Sequence, residues 1–209
     1  GENRNLEELD DKNLFNNIQK LVLSRQKPLE IVLNREKLTI KLATKQRLDL
    51  GSIGKGYAID LAYDTLSDFS AFMINAGGDI RVKGPKPDGN NWQISLYKAQ
   101  LPNKLLHKEN SLGTISLEKG GICGSGGWAR KVRFFHHLLN PKTGMPINEL
   151  SQTYVIAPTA IEADAWATIL FVNGKKSLEQ LKKLMFSGII DDKNGKLIQT
   201  GDFIQENTL

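Results

Sequence analysis

Apolar positions recur at helical spacing in a few long stretches of the chain and at alternate positions in many short ones. After Asp10-Asp11, the residues Leu14, Ile18, Leu21 and Val22 fall three or four apart, which predicts a capped amphipathic helix. Leu29-Glu-Ile-Val-Leu33 and Leu38-Thr-Ile-Lys-Leu42 bracket the polar Asn34-Arg-Glu-Lys37 and predict a hairpin. A glycine-rich stretch ending at Gly56 then leads into an amphipathic segment that runs to about Phe69. Strands are predicted over 71–75, 79–83, 92–97, 113–117, 131–139 and 152–157, with polar loops at 84–91 and 140–146. The glycine-dense residues 120–127 predict a loop. Helices are predicted over 161–173, stopped by Gly174, and over 177–186. Ile189-Ile190 and Leu197-Ile198 flank Asp192-Lys-Asn-Gly195 as a last hairpin. Strands in hairpin-like pairs with helices grouped between them predict an α+β fold with a largely antiparallel sheet.

Composition narrows the picture little. The 209 residues suit one domain, taken as 1–209, and 40% hydrophobic with 24% charged residues is ordinary for a soluble globular protein. The net charge of +5 is mild, and no stretch interleaves aromatics with Lys/Arg as a nucleic-acid stacking platform requires. Nucleic acid is therefore not an expected partner. The single cysteine, Cys123, excludes an internal disulfide and reads as a small buried residue. No apolar run is long enough to span a bilayer as a helix. Gly1 reads as a processing scar, so an upstream segment is expected.

Candidate chemistry begins at Asp49-Leu-Gly-Ser-Ile-Gly-Lys-Gly-Tyr-Ala-Ile-Asp60. Glycines around Lys55, feeding a helix N-terminus, offer backbone N–H groups and a full charge to a phosphate. Asp49 can orient a ligand hydroxyl or amide. The spacing is not that of a P-loop or of Gly-x-Gly-x-x-Gly. The same stretch also suits a tight strand-to-helix turn with an exposed lysine. Asp164 and Thr168 lie four apart, so on a helix they share a face and present two oxygens of the kind Mg²⁺ prefers. A helix-dipole Asp and a self-bonded Thr are the plainer alternative. His136 and His137 point opposite ways in a strand, so they cannot share one zinc, though one could serve as a base. The stretch from Gly120 to Arg130 reads as loop backbone against a flat ligand, with Ser125 and Arg130 able to reach phosphate. Asn75-Ala-Gly-Gly-Asp79 opens a strand at a double glycine, where backbone and ligand can approach closely.

Taken in order, these blocks carry a resemblance. The first block, Ile74-Asn-Ala-Gly-Gly-Asp-Ile80, the Ser125-Gly126 pair, His137-Leu-Leu-Asn-Pro-Lys-Thr-Gly-Met-Pro146 and Ala163-Asp-Ala-Trp-Ala-Thr168 running on to Gly174 resemble the FAD:protein FMN transferases. This is the ApbE family, once called thiamine-biosynthesis lipoproteins, and the resemblance covers residues 29–209. It implies a T-fold-like α+β architecture and Mg²⁺-dependent transfer of FMN from FAD to a Thr or Ser hydroxyl of a target protein, with AMP released. By the resemblance, Asp49, Lys55, Gly77, Gly78, Ser125 and Leu138 contact the flavin nucleotide. The carbonyl of Ser52 joins Asp164 and Thr168 as metal ligands, and His137 is the general base. The family is often exported and lipid-anchored, which implies a cell-envelope location for the parent protein. Asn140 stands where the family usually has Asp, Gly124 where it has Thr, and Gly127 where Asp often follows. The family's Met-Gly-Thr and Gly-Ala-Phe-Asp segments have no counterpart in these residues. A flavin-binding protein of the same fold without transferase activity is the alternative expectation.

Overall fold

The computed structural model describes residues 11–24, 31–44, 46, 48–98, 111–127, 131–132, 135–140, 142–200 and 203. In chain order the elements are α1 (Asp11–Leu23), β1 (Val32–Asn34), β2 (Thr39–Lys41), α2 (Gly54–Thr65), β3 (Phe72–Ala76), β4 (Asp79–Lys83), β5 (Trp92–Tyr97) and β6 (Ser111–Leu117). They continue with β7 (Gly120–Gly126), β8 (Lys131–Val132), β9 (Phe135–His136), β10 (Leu150–Ala157), α3 (Ala160–Asn173), a 3-10 turn, α4 (Leu178–Lys183), β11 (Ser187–Asp192) and β12 (Leu197–Gln199). The expected α+β class with antiparallel pairing is what forms: every described strand pair is antiparallel. The chain makes two compact units, residues 1–49 with 130–147 and residues 50–129 with 148–209.

The second unit is built on a six-stranded sheet in the order β12-β11-β10-β7-β4-β3. Its strands alternate between two cores, as a period of two requires. Ile122, Ile189 and Ile80 face one side with Val82, where the β5–β6 ribbon supplies Ile94, Leu96, Leu112 and Ile115. Their chain neighbours Cys123 and Ile190 face the other side, where the helices pack. There α3 is apolar nearly all round, because it lies between sheet and α2; Ala160, Ala163, Ala167, Leu170 and Phe171 are all buried. Thr159 caps it in a capping box with Glu162, and Gly174 at φ +62° ends it.

The glycine-dense stretch is the clearest departure from expectation. Residues 120–126 are not a loop but β7, a central strand between β10 and β4. Neighbouring elements leave these glycines no room for a side chain: α3 at Gly121 and the Tyr154 ring of β10 at Gly124. A Cβ at Gly121 would come within 2.8 Å of the Ala160 backbone, and one at Gly124 within 2.7 Å of the Tyr154 ring. Lesser differences follow from short-range geometry. The helix expected over 177–186 is the 3-10 turn Gly174–Ser177 followed by the shorter α4. The strand expected over 131–139 is two short pieces, β8 and β9, which pair with each other. Asp10, Leu29, Trp128 and Arg130 lie outside the described residues.

The first unit carries α1, the β1–β2 hairpin, β8–β9 and a tight turn. In that turn Asn140 Oδ1 accepts the Lys142 N–H at 2.9 Å, while the Asn140 carbonyl accepts from Gly144 N at 2.8 Å. Gly144, at φ +68°, packs against Gln19 of α1, whose amide donates to the Thr143 carbonyl.

Candidate functional site

The helix α2 begins inside the first sequence block, so Lys55 and Gly56 belong to its opening turn. Ile53, just before it, offers no side-chain cap. One of the N–H groups that a helix start leaves unpaired is met from another element instead: Gly56 N donates to Asp164 Oδ2 of α3 at 3.0 Å. Gly56 is glycine for the same reason. A Cβ there would sit 2.5 Å from the Ala160 carbonyl and 2.6 Å from Ile161 Cα, so the two helices touch backbone to backbone. At Gly56 the close neighbour is therefore α3 and not a ligand, whereas a Cβ at Gly54 would meet nothing within 4 Å.

The crossing is held by a residue that sequence reasoning passed over. Asp60, one turn further along α2, accepts the N–H groups of Ala160 and Ile161 at 2.9 and 3.0 Å and pairs with Arg81 Nη1 at 2.7 Å. Arg81 in turn lies 3.6 Å over the Tyr63 ring. Asp60 is thus a carboxylate at the N-terminus of α3, where the helix dipole favours it.

A chain of charges follows. The Lys55 ammonium forms an ion pair with Asp79 Oδ2, and Asp79 Oδ1 accepts the Gly124 N–H at 3.1 Å. Asp79 is 2% exposed and Asp164 4% exposed. Burial pulls the Lys55 ammonium down, but Asp79 and Asp164 outweigh it and hold the group above its ordinary value. Burial pushes the Asp164 carboxyl up, the Gly56 N–H opposes this, Asp79 adds to it and Lys55 opposes it. Burial also drives the Cys123 thiol far up, so it is inert, with Sγ 3.4 Å from the Ala160 carbonyl. One turn beyond Asp164, Thr168 Oγ1 lies 3.1 Å from Ser125 Oγ on β7. Thr153 fixes this corner by donating to the Ala167 carbonyl at 2.8 Å.

The structure therefore brings Lys55, Asp164, Thr168 and Ser125 into one neighbourhood around α2, α3 and β7. Ser52 is half-buried in the turn that enters α2. Gly77 and Gly78 form the two-residue turn between β3 and β4, at φ +66° and +98°, with Asn75 Oδ1 accepting the Gly78 N–H at 2.9 Å. An added Cβ at either glycine would meet nothing within 4 Å, so the turn is open on its outer side. Asp79, directly after it, was quoted in the Asn-Ala-Gly-Gly-Asp block but its partner, Lys55, lies on a distant element.

The first unit holds Asp49, His137 and Leu138. The histidine pair splits as alternation requires. His136 is 7% exposed; it accepts the Leu138 N–H on Nδ1 at 3.2 Å, which leaves Nε2 to donate to the Ile147 carbonyl at 2.9 Å. His137 is exposed just past the end of β9, and Leu138 is half-buried. Asp49 is exposed.

The residues present fit a hard divalent cation in part. Asp164 and Thr168 supply oxygen donors on one helical face, near Asp79, which already pairs with an ammonium. Among the described residues no three His, Cys, Asp or Glu side chains converge.

Comparison with known proteins gives a consistent result. The sequence model of the ApbE family matches residues 5–188. The FAD:protein FMN transferase of Haemophilus influenzae is 35% identical over 159 residues, covering 72% of this chain and 45% of that protein. The enzyme of the same name from Chlamydia muridarum is 31% identical over 166 residues, 74% of this chain and 48% of that protein. The chain spans about half the length of these curated relatives. Among solved structures, the ApbE protein of Thermotoga maritima aligns over 94% of this chain and 67% of its own, at TM-score 0.79 and 26% identity. The flavin transferase ApbE of Vibrio cholerae aligns over 93% of this chain and 62% of its own, at TM-score 0.73; at 22% identity that likeness speaks for the fold.

Proposed function

The chain belongs to the ApbE family, and from that premise we propose that it moves FMN from FAD to a Thr or Ser hydroxyl of a target protein, releasing AMP and using Mg²⁺. The observation that supports this most is the joining of a lysine at a helix N-terminus to an oxygen-donor pair on the next helix, through the Gly56–Asp164 bond. Phosphoryl-group chemistry asks little covalent work of a protein; it asks for positioning and charge neutralisation.

In this reading Lys55 and the first turn of α2 take the pyrophosphate of FAD. Asp164, Thr168 and the Ser52 carbonyl would hold a Mg²⁺. When bound, the cation neutralises charge on the phosphates and on the departing AMP. The open Gly77-Gly78 turn and Ser125 line the nucleotide. The acceptor oxygen forms a bond to the FMN-side phosphorus, and the bond from that phosphorus to the AMP oxygen breaks. The hydroxyl proton goes to His137, a step worth on the order of 10²–10⁴-fold. The acceptor protein, and the cell-envelope location, belong to the same proposal.

Intact mass spectrometry tests it. The chain is incubated with FAD, Mg²⁺ and an acceptor protein, and the reading expects the acceptor to gain the mass of FMN less water, with one AMP per modification. FAD binding with neither product would support the non-catalytic reading instead.

A further inference from the structure

We propose that Asp79 is a positioning residue of the phosphate site: it holds the Lys55 ammonium in place for a nucleotide and does not touch the nucleotide itself. The proposal rests on the reading of Lys55 as a phosphate contact.

Three observations carry it. Asp79 opens β4 and is buried, so its carboxylate is part of the sheet and not of a mobile surface. Both of its oxygens are committed: Oδ1 accepts the N–H of Gly124 on the neighbouring strand, and Oδ2 takes Lys55. Lys55, by contrast, is 53% exposed, a long side chain with its tip on a fixed anchor. An ammonium has three donors; Asp79 takes one and leaves two for phosphate. Without the anchor, the lysine would have to give up its rotamer freedom each time it met a ligand. The buried acid also needs the lysine, since an unpaired carboxylate in the sheet is unfavourable.

The proposal predicts a sign. Asp79 is negative, and by charge alone it repels a phosphate, so Asp79→Asn would tighten anion binding if charge were its only influence. If it acts by holding Lys55, the same substitution weakens binding. Asn keeps an oxygen for the Gly124 N–H and so preserves the local fold.

The experiment is a double-mutant cycle on the full chain, with ADP as the titrant in calorimetry. Asp79→Asn is expected to weaken ADP about tenfold, the size of one hydrogen bond to a charged group. In a Lys55→Met background the same change is expected to have no further weakening effect. Tighter ADP binding in the single variant, an undiminished loss in the Lys55→Met background, or no measurable ADP binding by the unmodified chain would each overturn the proposal. Should Asp79→Asn not fold, ¹³C relaxation at Lys55 Cε of the unmodified chain decides: an ordered side chain without ligand is expected, and free rotation contradicts it. Loss of FMN transfer with this coupling intact counts against the transferase reading alone.

Discussion

Asp164 serves two purposes through one carboxylate. Its Oδ2 closes the start of α2 by accepting the Gly56 N–H, and its charge makes it the candidate metal ligand. Substitution separates the two. Asp164→Asn keeps an acceptor for Gly56, so its urea midpoint should stay near that of the unmodified chain. Asp164→Ala loses the cap as well and should be destabilised by about 1 kcal/mol, the usual worth of a helix N-cap. Lys55→Met tests the neighbouring charge. It should weaken FAD more than riboflavin, by an amount at the low end of roughly 1.5–3 kcal/mol because half the side chain is solvated. Equal losses for both ligands in a titration would place Lys55 away from phosphate. Lys55, Asp164 and Thr168 were legible in the sequence because local spacing alone puts them on a helix start or a helix face. Asp79 and Asp60 were not, since their roles come from partners on other elements: Lys55 for the first, the N-terminus of α3 for the second.

At the scale of elements, glycine has a meaning that composition hides. Gly56→Ala would normally help a helix by roughly 0.5–1 kcal/mol. Here the new methyl meets the α3 backbone at 2.5 Å, and backbone cannot step aside. Overpacking of this kind costs about 1–3 kcal/mol, so the expected net effect in thermal or urea unfolding is destabilisation. The same contact logic explains why β7 read as a loop. Its glycines look like flexibility, but a Cβ at Gly121 would strike α3 and one at Gly124 the Tyr154 ring of β10, and both contacts are tertiary. β10 was legible as a strand from its own residues, and β11 only as one side of the hairpin around Asp192-Lys-Asn-Gly195. They also carry a pH prediction. Burial holds the Asp191 carboxyl above its ordinary value, with the Gln152 amide, 3.2 Å away, opposing. The folded chain then keeps a proton that the unfolded chain has released, so stability falls as pH rises from 3.8 through the raised value. Asp191→Asn, which keeps an acceptor for Gln152, removes this term. Urea unfolding at several pH values should show the unmodified chain losing ground to Asp191→Asn across that window; parallel curves would contradict the assignment.

For the whole molecule, the α+β class and the order of family blocks were readable from the sequence, and the ApbE membership follows from both sequence and fold. The grouping of elements into two units was not, because the second stretch of the first unit, residues 130–147, returns to it from far along the chain. On the proposed function, α2, α3 and the sheet make one site where a nucleotide's phosphates and a divalent cation meet. The most direct test is calorimetric titration of FAD with and without Mg²⁺, on the unmodified chain and on Asp164→Asn. Mg²⁺ is expected to tighten FAD binding to the unmodified chain, and Asp164→Asn to retain the Mg²⁺-free affinity but gain nothing from the cation. An equal gain from Mg²⁺ in both proteins would contradict this.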